Sequence, residues 1–385
     1  MAGFASHDAI VNAITVLGQF VSRDLAKQTA PVHTAGGWHL TTGLAGYPNA
    51  GTFPGTDLVW NSTDENNGDG TTIIGPPMGG GVGPSMTKHI TATGAMIVAA
   101  AGAPWQAKLV DHLGYYKLSG ANVTGTSSRT LINSETFTAS NSGGDLLLTY
   151  AQDWKNGTLV QFTTTTTLPT GLNLNTDYWL IRQSATTAKV ATSYANYVAN
   201  TKIAWTDAGT GTHTLTIRPR YAGVGVEALF QVQTAPTAGG PTLSASSYTN
   251  AAGTASRAFQ GSLVMNAAAN AYATRILHSG NAAGNYGAFM PRQGGDTGIL
   301  SIQSFTWSAG TAYTGSGVVS LSLVRPLGVD LILPATGVWT EKDYLNMIPA
   351  LPKIEDGACL QWLLFGTGAT TTASPLNTRI DAVWG

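Results

Sequence analysis

The chain of 385 residues carries a formal net charge of -1, with 43% hydrophobic and 10% charged side chains. Charge far below the roughly 25% of an ordinary soluble domain, with ten Trp, thirteen Tyr and ten Phe, excludes a disordered chain, which is rich in charge and poor in aromatics. The near-zero balance and the lack of a long Lys/Arg run exclude a surface built for phosphate backbones, so no direct nucleic-acid partner is expected.

Solubility then rests on Thr, Ser, Asn and Gly, and so weakly charged a surface promotes association. A homo-oligomer is expected. Residues 6–28 place Ile10, Ile14, Leu17, Val21 and Leu25 at three- and four-residue spacing, with Ser6 as N-cap and Asp8 in the first turn. This predicts one long helix with an apolar stripe that docks on its own body or on a neighbour. From Pro31 to about Ser85, clusters such as "GPPMGGGVGPS" predict a loop-rich arm. Residues 1–85 are read as this helix and arm.

Beyond it the pattern is strand. "KHITATGAMIVAA", "WQAKLVDHLGYYKLSG", "GVEALFQVQT", "TLSASSYTN", "SRAFQG", "GILSIQSFTW" and "GVVSLSLVRPLGV" are short runs parted by Gly, Pro, Asn or Ser. In "VEALFQVQT", Ala228, Phe230 and Val232 alternate with Glu227, Gln231 and Gln233, the pattern of a half-buried strand. Asn250 and Gly253 in "SYTNAAGTASR" mark a hairpin. Near the end, "TEKDYLNMIPALP" predicts a second helix with Thr340 as N-cap and Asp343 three residues on, before a closing strand "TRIDAVWG".

Residues 133–218 continue the strand pattern with a threonine accent. "TLVQFTTTTT", "DYWLIRQ", "AKVATS", "TKIAWTD" and "HTLTIRP" are five strand candidates, and Thr is a good strand former that covers an exposed face without charge. Phe162, Trp179, Ile181, Ile203 and Trp205 are expected to form the buried face of a small module. The order "FTTTTTLPTGLNLNTDYWLI", "AKVATS", "AGTGTHTLTI" resembles a small β-module found in many tailed-bacteriophage virion proteins, over roughly residues 158–217. The outer chain, residues 105–385, is similar to phage capsid-associated proteins in carrying "LSG", "RYAGVGVEAL", "YTNAAGTASR", "RPL" and "DGACL" in order. The expected fold is mainly β: a sandwich or jelly-roll-like core of residues 86–132 and 219–385, an inserted module at 133–218, and the N-terminal helix and arm.

Chemistry is sparse. The seven histidines, His7, His33, His39, His89, His112, His213 and His278, form no H-x-x-x-H pair, and the single Cys359 sits in an apolar run, as a buried core residue does. Asp111-His112 are a tempting acid-base couple, yet neighbours on a strand point to opposite faces. Glu65, Asn67 and Asp69 imitate the first half of a calcium loop, but Pro76 stands where the bidentate Glu belongs, so a polar turn is the reading adopted. No catalytic residue, metal or cofactor is assigned. No apolar run is long enough to span a membrane, and no signal-peptide pattern opens the chain, so no membrane partner and assembly in a host cytoplasm are expected.

What the resemblance implies is a virion structural protein: a capsid decoration or stabilising subunit touching its own copies and other capsid or virion proteins. The alternative is a tail fibre, spike or baseplate component gripping host surface glycan, with Trp179 or Trp205 stacking on sugar unless both fill the module's core, the role expected of them. A major capsid protein ranks lower because the only long helical pattern is terminal, and a glycan hydrolase ranks lower because no acidic constellation is visible.

Overall fold

The computed structural model describes residues 4, 6–27, 37–43, 46–47, 56–62, 88–98, 104–119, 128–234, 242–260, 263–264, 276–277, 287–308, 317–345, 351–355, 357–367 and 375–384. The protein is mainly β. Its largest sheet runs, neighbour to neighbour, β17 (Ile276–Leu277), β14 (Glu227–Thr234), β19 (Val318–Leu333), β6 (Trp105–Ser119), β22 (Leu360–Gly366) and β2 (Gly37–Leu40), with β4 (Trp60–Ser62) also on β6. A second sheet runs β20 (Thr340–Asp343), β5 (Lys88–Ile97), β23 (Leu376–Trp384), β1 (Phe20–Lys27) and β3 (Gly46–Tyr47), with β21 (Lys353–Ile354) also on β5. A third holds β16 (Leu263–Val264), β15 (Thr242–Asn250), β18 (Ile299–Ser308) and β7 (Ser128–Thr130).

Two long antiparallel strands, β6 and β19, pair from Ser119↔Val318 to Trp105↔Leu333 and serve two cores. Toward one end, Trp105, Leu109, Val329, Leu331 and Trp362 of the large sheet pack with Ile90, Ile97 and Ile380 of the second sheet, giving a β-sandwich. Toward the other, Tyr116, Leu118, Leu321, Leu323 and Phe230 of the large sheet join Phe305 and Trp307 of the third sheet. Between the two, the register of β19 shifts at Leu323/Val324 and again at Pro326/Val329. Pro326 has no N–H to give the ladder, and Gly328 at φ +74° takes the left-handed conformation of a bulge.

The opposite face of the large sheet is buried too: its Trp38, Leu40, Val110, Leu229, Val324 and Leu363 cluster with Ala288, and Phe289 packs against them. β14 is therefore not half-buried as its alternation predicts. Gln231 lies at 0% exposure, accepting from the Thr42 hydroxyl at 2.9 Å and donating to Leu40 O at 3.3 Å. The expected Asn250/Gly253 hairpin is present: Gly253 N donates to Asn250 O at 2.9 Å and Tyr248 bridges Arg257.

Both predicted helices need correction. The first, α1, spans only His7–Thr15, capped by Ser6 as expected. At Gly18 (φ +63°) the chain turns, and Phe20–Lys27 becomes β1, paired along its length with β23. Val21 and Leu25 are four apart, which fits one helical turn and two strand repeats equally, and the pairing partner decided the matter. The second helix is replaced by β20, where Thr340–Asp343 pair with Ala95–Ala92. Asp343 Oδ1 accepts from Leu345 N at 2.8 Å as a turn residue, and residues 346–350 lie outside the described set.

Candidate functional site

Six strands close into a barrel in the order β10 (Leu159–Thr164), β11 (Tyr178–Ser184), β12 (Thr187–Ala191), β9 (Asp145–Thr149), β8 (Ser134–Ser142) and β13 (His213–Ile217), which returns to β10. Phe137, Leu148, Val160, Phe162, Leu180 and Leu215 are among the residues that fill it. β8 and β9 are absent from the sequence reading, although "TFTASNSGGDLLLTY" carries alternation and a Gly143-Gly144 turn. "TKIAWTD", read as a strand, forms no full strand: it bridges Ala204 to Asp145, and Ile203 N donates to Val190 O at 3.0 Å and Trp205 N to Gly144 O at 2.8 Å. Ile203 and Trp205 from that segment pack half-buried against the barrel core.

The five aromatic and aliphatic residues expected on one face are split between two. Trp179 and Ile181 lie on the outer side of β11, beneath α2 (Tyr194–Val198), in a cluster with Ala191, Tyr194 and Tyr197. Trp179 meets Tyr194 edge-on at 5.1 Å. This cluster abuts the body at Gly357, where a Cβ would come within 3.0 Å of the Tyr194 ring and 3.4 Å of Trp179. Trp179 is a seam residue, not a free stacking platform.

The threonine run does two jobs. Thr163 and Thr164 finish β10, and Thr165 to Thr167 then hold the loop that precedes β13. Thr165 N donates to Thr212 O at 3.1 Å, Thr210 N to Thr167 O at 2.8 Å, and Thr212 N to Thr165 Oγ1 at 3.0 Å. Thr170 donates to Asp207 through its amide and hydroxyl, and with the Gly209 amide it holds the Asp207 carboxyl below the usual range, the Thr170 hydroxyl contributing most. Tyr178 O–H donates to Gly171 O at 3.2 Å. His213, buried, has Nδ1 2.9 Å from Thr164 Oγ1 and Nε2 3.0 Å from Ala208 O. The pieces "LPTGL", "TDYWLI" and "GTGTHT" are thus joints of one unit.

Beside the 208–213 loop, the barrel wall opens into a cavity of about 620 Å³ bounded by Thr136–Ala139 of β8, Thr149–Ala151 and the loop itself. β8 pairs with β13 only as far as Phe137 and with β9 from Thr138 onward. The edge of Thr138 and Ala139 that β13 vacates borders this cavity.

At its root the barrel is tied to the body twice. Asn133 Nδ2 donates to Ile302 O at 2.7 Å, its Oδ1 accepts from the Tyr116 hydroxyl, and its carbonyl accepts from Ile217 N at 2.9 Å. On the return leg, buried Arg220 makes a two-pronged ion pair with Asp111 of β6, Nη2 to Oδ1 at 2.6 Å and Nε to Oδ2 at 3.1 Å. Asp111 also accepts from the Tyr221 hydroxyl at 2.9 Å and from Cys359 N at 2.8 Å. Arg325 stacks over the Tyr221 ring at 3.8 Å. This network holds Tyr221 (φ +65°) and Ala222 (φ +49°) in left-handed geometry, a strain of about 1–3 kcal/mol per residue.

The Asp111-His112 couple is thereby divided. Asp111 serves Arg220, while fully buried His112 stacks near Tyr115, its imidazole pushed down to about 3 chiefly by burial. His39 is buried, His89 half-buried beside Phe4, and His7 exposed; His33, His278, Glu65, Asn67 and Asp69 lie outside the described residues. Among the described residues no three His, Cys, Asp or Glu side chains gather as a metal site would require, and no helix is long and apolar enough to cross a membrane.

No family model and no curated protein matches the chain. Among solved structures it is weakly similar to viral capsid proteins. The VP2 subviral particle of infectious bursal disease virus aligns over 95% of this chain and 81% of that one at 8% identity and a TM-score of 0.17. The Gx strain structure of the same virus aligns over 95% and 82% at 9% identity and 0.16, and the Gt strain over 97% and 86% at 7% and 0.17.

Proposed function

We propose that this chain is a structural component of a tailed-phage virion, a capsid decoration or stabilising protein that works by subunit contact. The observation that carries this reading is the barrel: the three short motifs that resemble tailed-phage virion modules meet in it as hydrogen-bonded joints. In this reading residues 133–218 are a module set into the β body of 86–132 and 219–385, to whose sheets β1 to β4 of residues 1–85 are paired. Symmetric burial of about 1,600 Å² per contact holds such an assembly without covalent chemistry. Only 10% of the residues are charged, and a weakly charged surface lets identical copies pack closely without mutual repulsion.

The expected result is that purified protein sediments as a symmetric oligomer and adds to capsids assembled without it, placing regular density on the head in electron micrographs. A stable monomer with no affinity for such capsids sinks the decoration role, and antibody label on the tail moves the chain to the fibre or baseplate class.

A further inference from the structure

We propose that the cavity beside the 208–213 loop is a binding site for a neutral saccharide. At about 620 Å³ it falls in the size range of small-ligand pockets, roughly 300–1,000 Å³. Five exposed threonines, Thr136, Thr138, Thr149, Thr210 and Thr212, border it, and among the described residues none of their hydroxyls is hydrogen-bonded to the protein. A hydroxyl both donates and accepts, so a ring of them is complementary to a ligand that is itself made of hydroxyls. The edge of β8 at Thr138 and Ala139, vacated by β13, adds backbone groups to the same wall.

Tyr150, 6% exposed, and Phe137, 4% exposed, form the floor of the cavity from the barrel side; the Tyr150 hydroxyl is closed off from solvent and Phe137 packs edge-on against Phe162, so contact with a ligand falls to the threonines.

The remaining chemistry narrows the ligand class. No Asp, Glu, Lys or Arg side chain lines the cavity. The loop cannot act as an anion nest, because the amides of Gly209, Thr210 and Thr212 already donate to Asp207, Thr167 and Thr165, and Asp207 is held ionised nearby. A purely apolar ligand would strip water from the threonine hydroxyls and return nothing. The site stands apart from the virion reading, since it holds or fails on binding alone.

The test is saturation-transfer NMR and titration of the full chain with methyl α-glucoside, methyl β-galactoside and N-acetylglucosamine, beside inorganic phosphate and a Thr-Val-Thr-Val-Thr peptide. The expected result is saturable transfer to at least one of the three sugars. Thr138→Val and Thr210→Val keep the β-branched shape and should each weaken it about two- to tenfold. Thr163→Val, outside the cavity, should leave it unchanged. Tyr150→Phe removes a hydroxyl closed off from solvent and should leave sugar binding unchanged. The proposal is overturned if no sugar responds up to about 50 mM, far above millimolar affinity. It is also overturned if both Thr→Val variants bind as wild type does, or if phosphate or the peptide saturates the cavity in place of sugar.

Discussion

Asp111 and Arg220 stand 109 residues apart in the chain and meet as a buried pair with side-chain exposures of 0% and 6%. Removing one partner of such a pair strands the other charge out of water. Asp111→Asn is expected to cost about 3–5 kcal/mol, read as a lower urea midpoint, and Asp111→Leu with Arg220→Met should recover much of it. A wild-type midpoint for Asp111→Asn would falsify the role given to this pair. The acid itself was legible in the sequence, as half of a couple with His112, and so was the fact that strand neighbours face apart. Its true partner was not, because nothing local in "RPRYAGVG" says which carboxylate the arginine will find once the barrel has closed.

Elements were legible where alternation met turn residues and ambiguous where a spacing served two periods. Most β runs emerged from the first signal. The second misplaced Phe20–Lys27, whose identity as a strand comes from the eight residues of β23 opposite it. In the barrel, counting apolar residues did not reveal which face of β11 looks inward. Trp179 looks outward and is nonetheless 8% exposed, because α2 and the body cover it. Trp179→Ala should therefore cost about 3–5 kcal/mol in chemical denaturation, and half-buried Trp205→Ala distinctly less. Equal losses, or a larger loss at Trp205, would contradict the assignment of the seam.

For the molecule as a whole, pH reads out burial. His112 is depressed to about 3 and His89 is lowered as well, burial being the main cause for each. For His89, a backbone hydrogen bond to Leu351 opposes that burial and Lys353 adds to it. A histidine whose folded value lies below its unfolded value of about 6.5 contributes stability that is present above the unfolded value and is lost as pH falls from there toward the folded one. Fully buried His112 should remove up to about 1.4 kcal/mol per pH unit across that window. Half-exposed His89, screened by solvent, should remove less. Asp296 acts in the same direction further down. Arg257 first, then Tyr248 and Asn250, hold its carboxyl below the usual range, so its contribution is present above the ordinary carboxylate value and fades as pH drops through the folded one. Urea midpoints measured from pH 7 to pH 4 should fall steadily, and a flat profile between pH 7 and pH 5 would exclude the histidine effect.

The two legs of the barrel sit side by side, with Ile217 N only 2.9 Å from Asn133 O. Asn133 and Arg218 therefore act as a socket for a cassette: any compact unit whose ends emerge together could be spliced there without altering the register of a single body strand. A replacement must also meet the body where the barrel now does, with an apolar patch to cover Gly357 where Tyr194 and Trp179 rest and an acceptor for Ser62 Oγ in place of Asn156 O. Such a joint lets a lineage exchange one compact unit for another while the body's sheets keep their pairing.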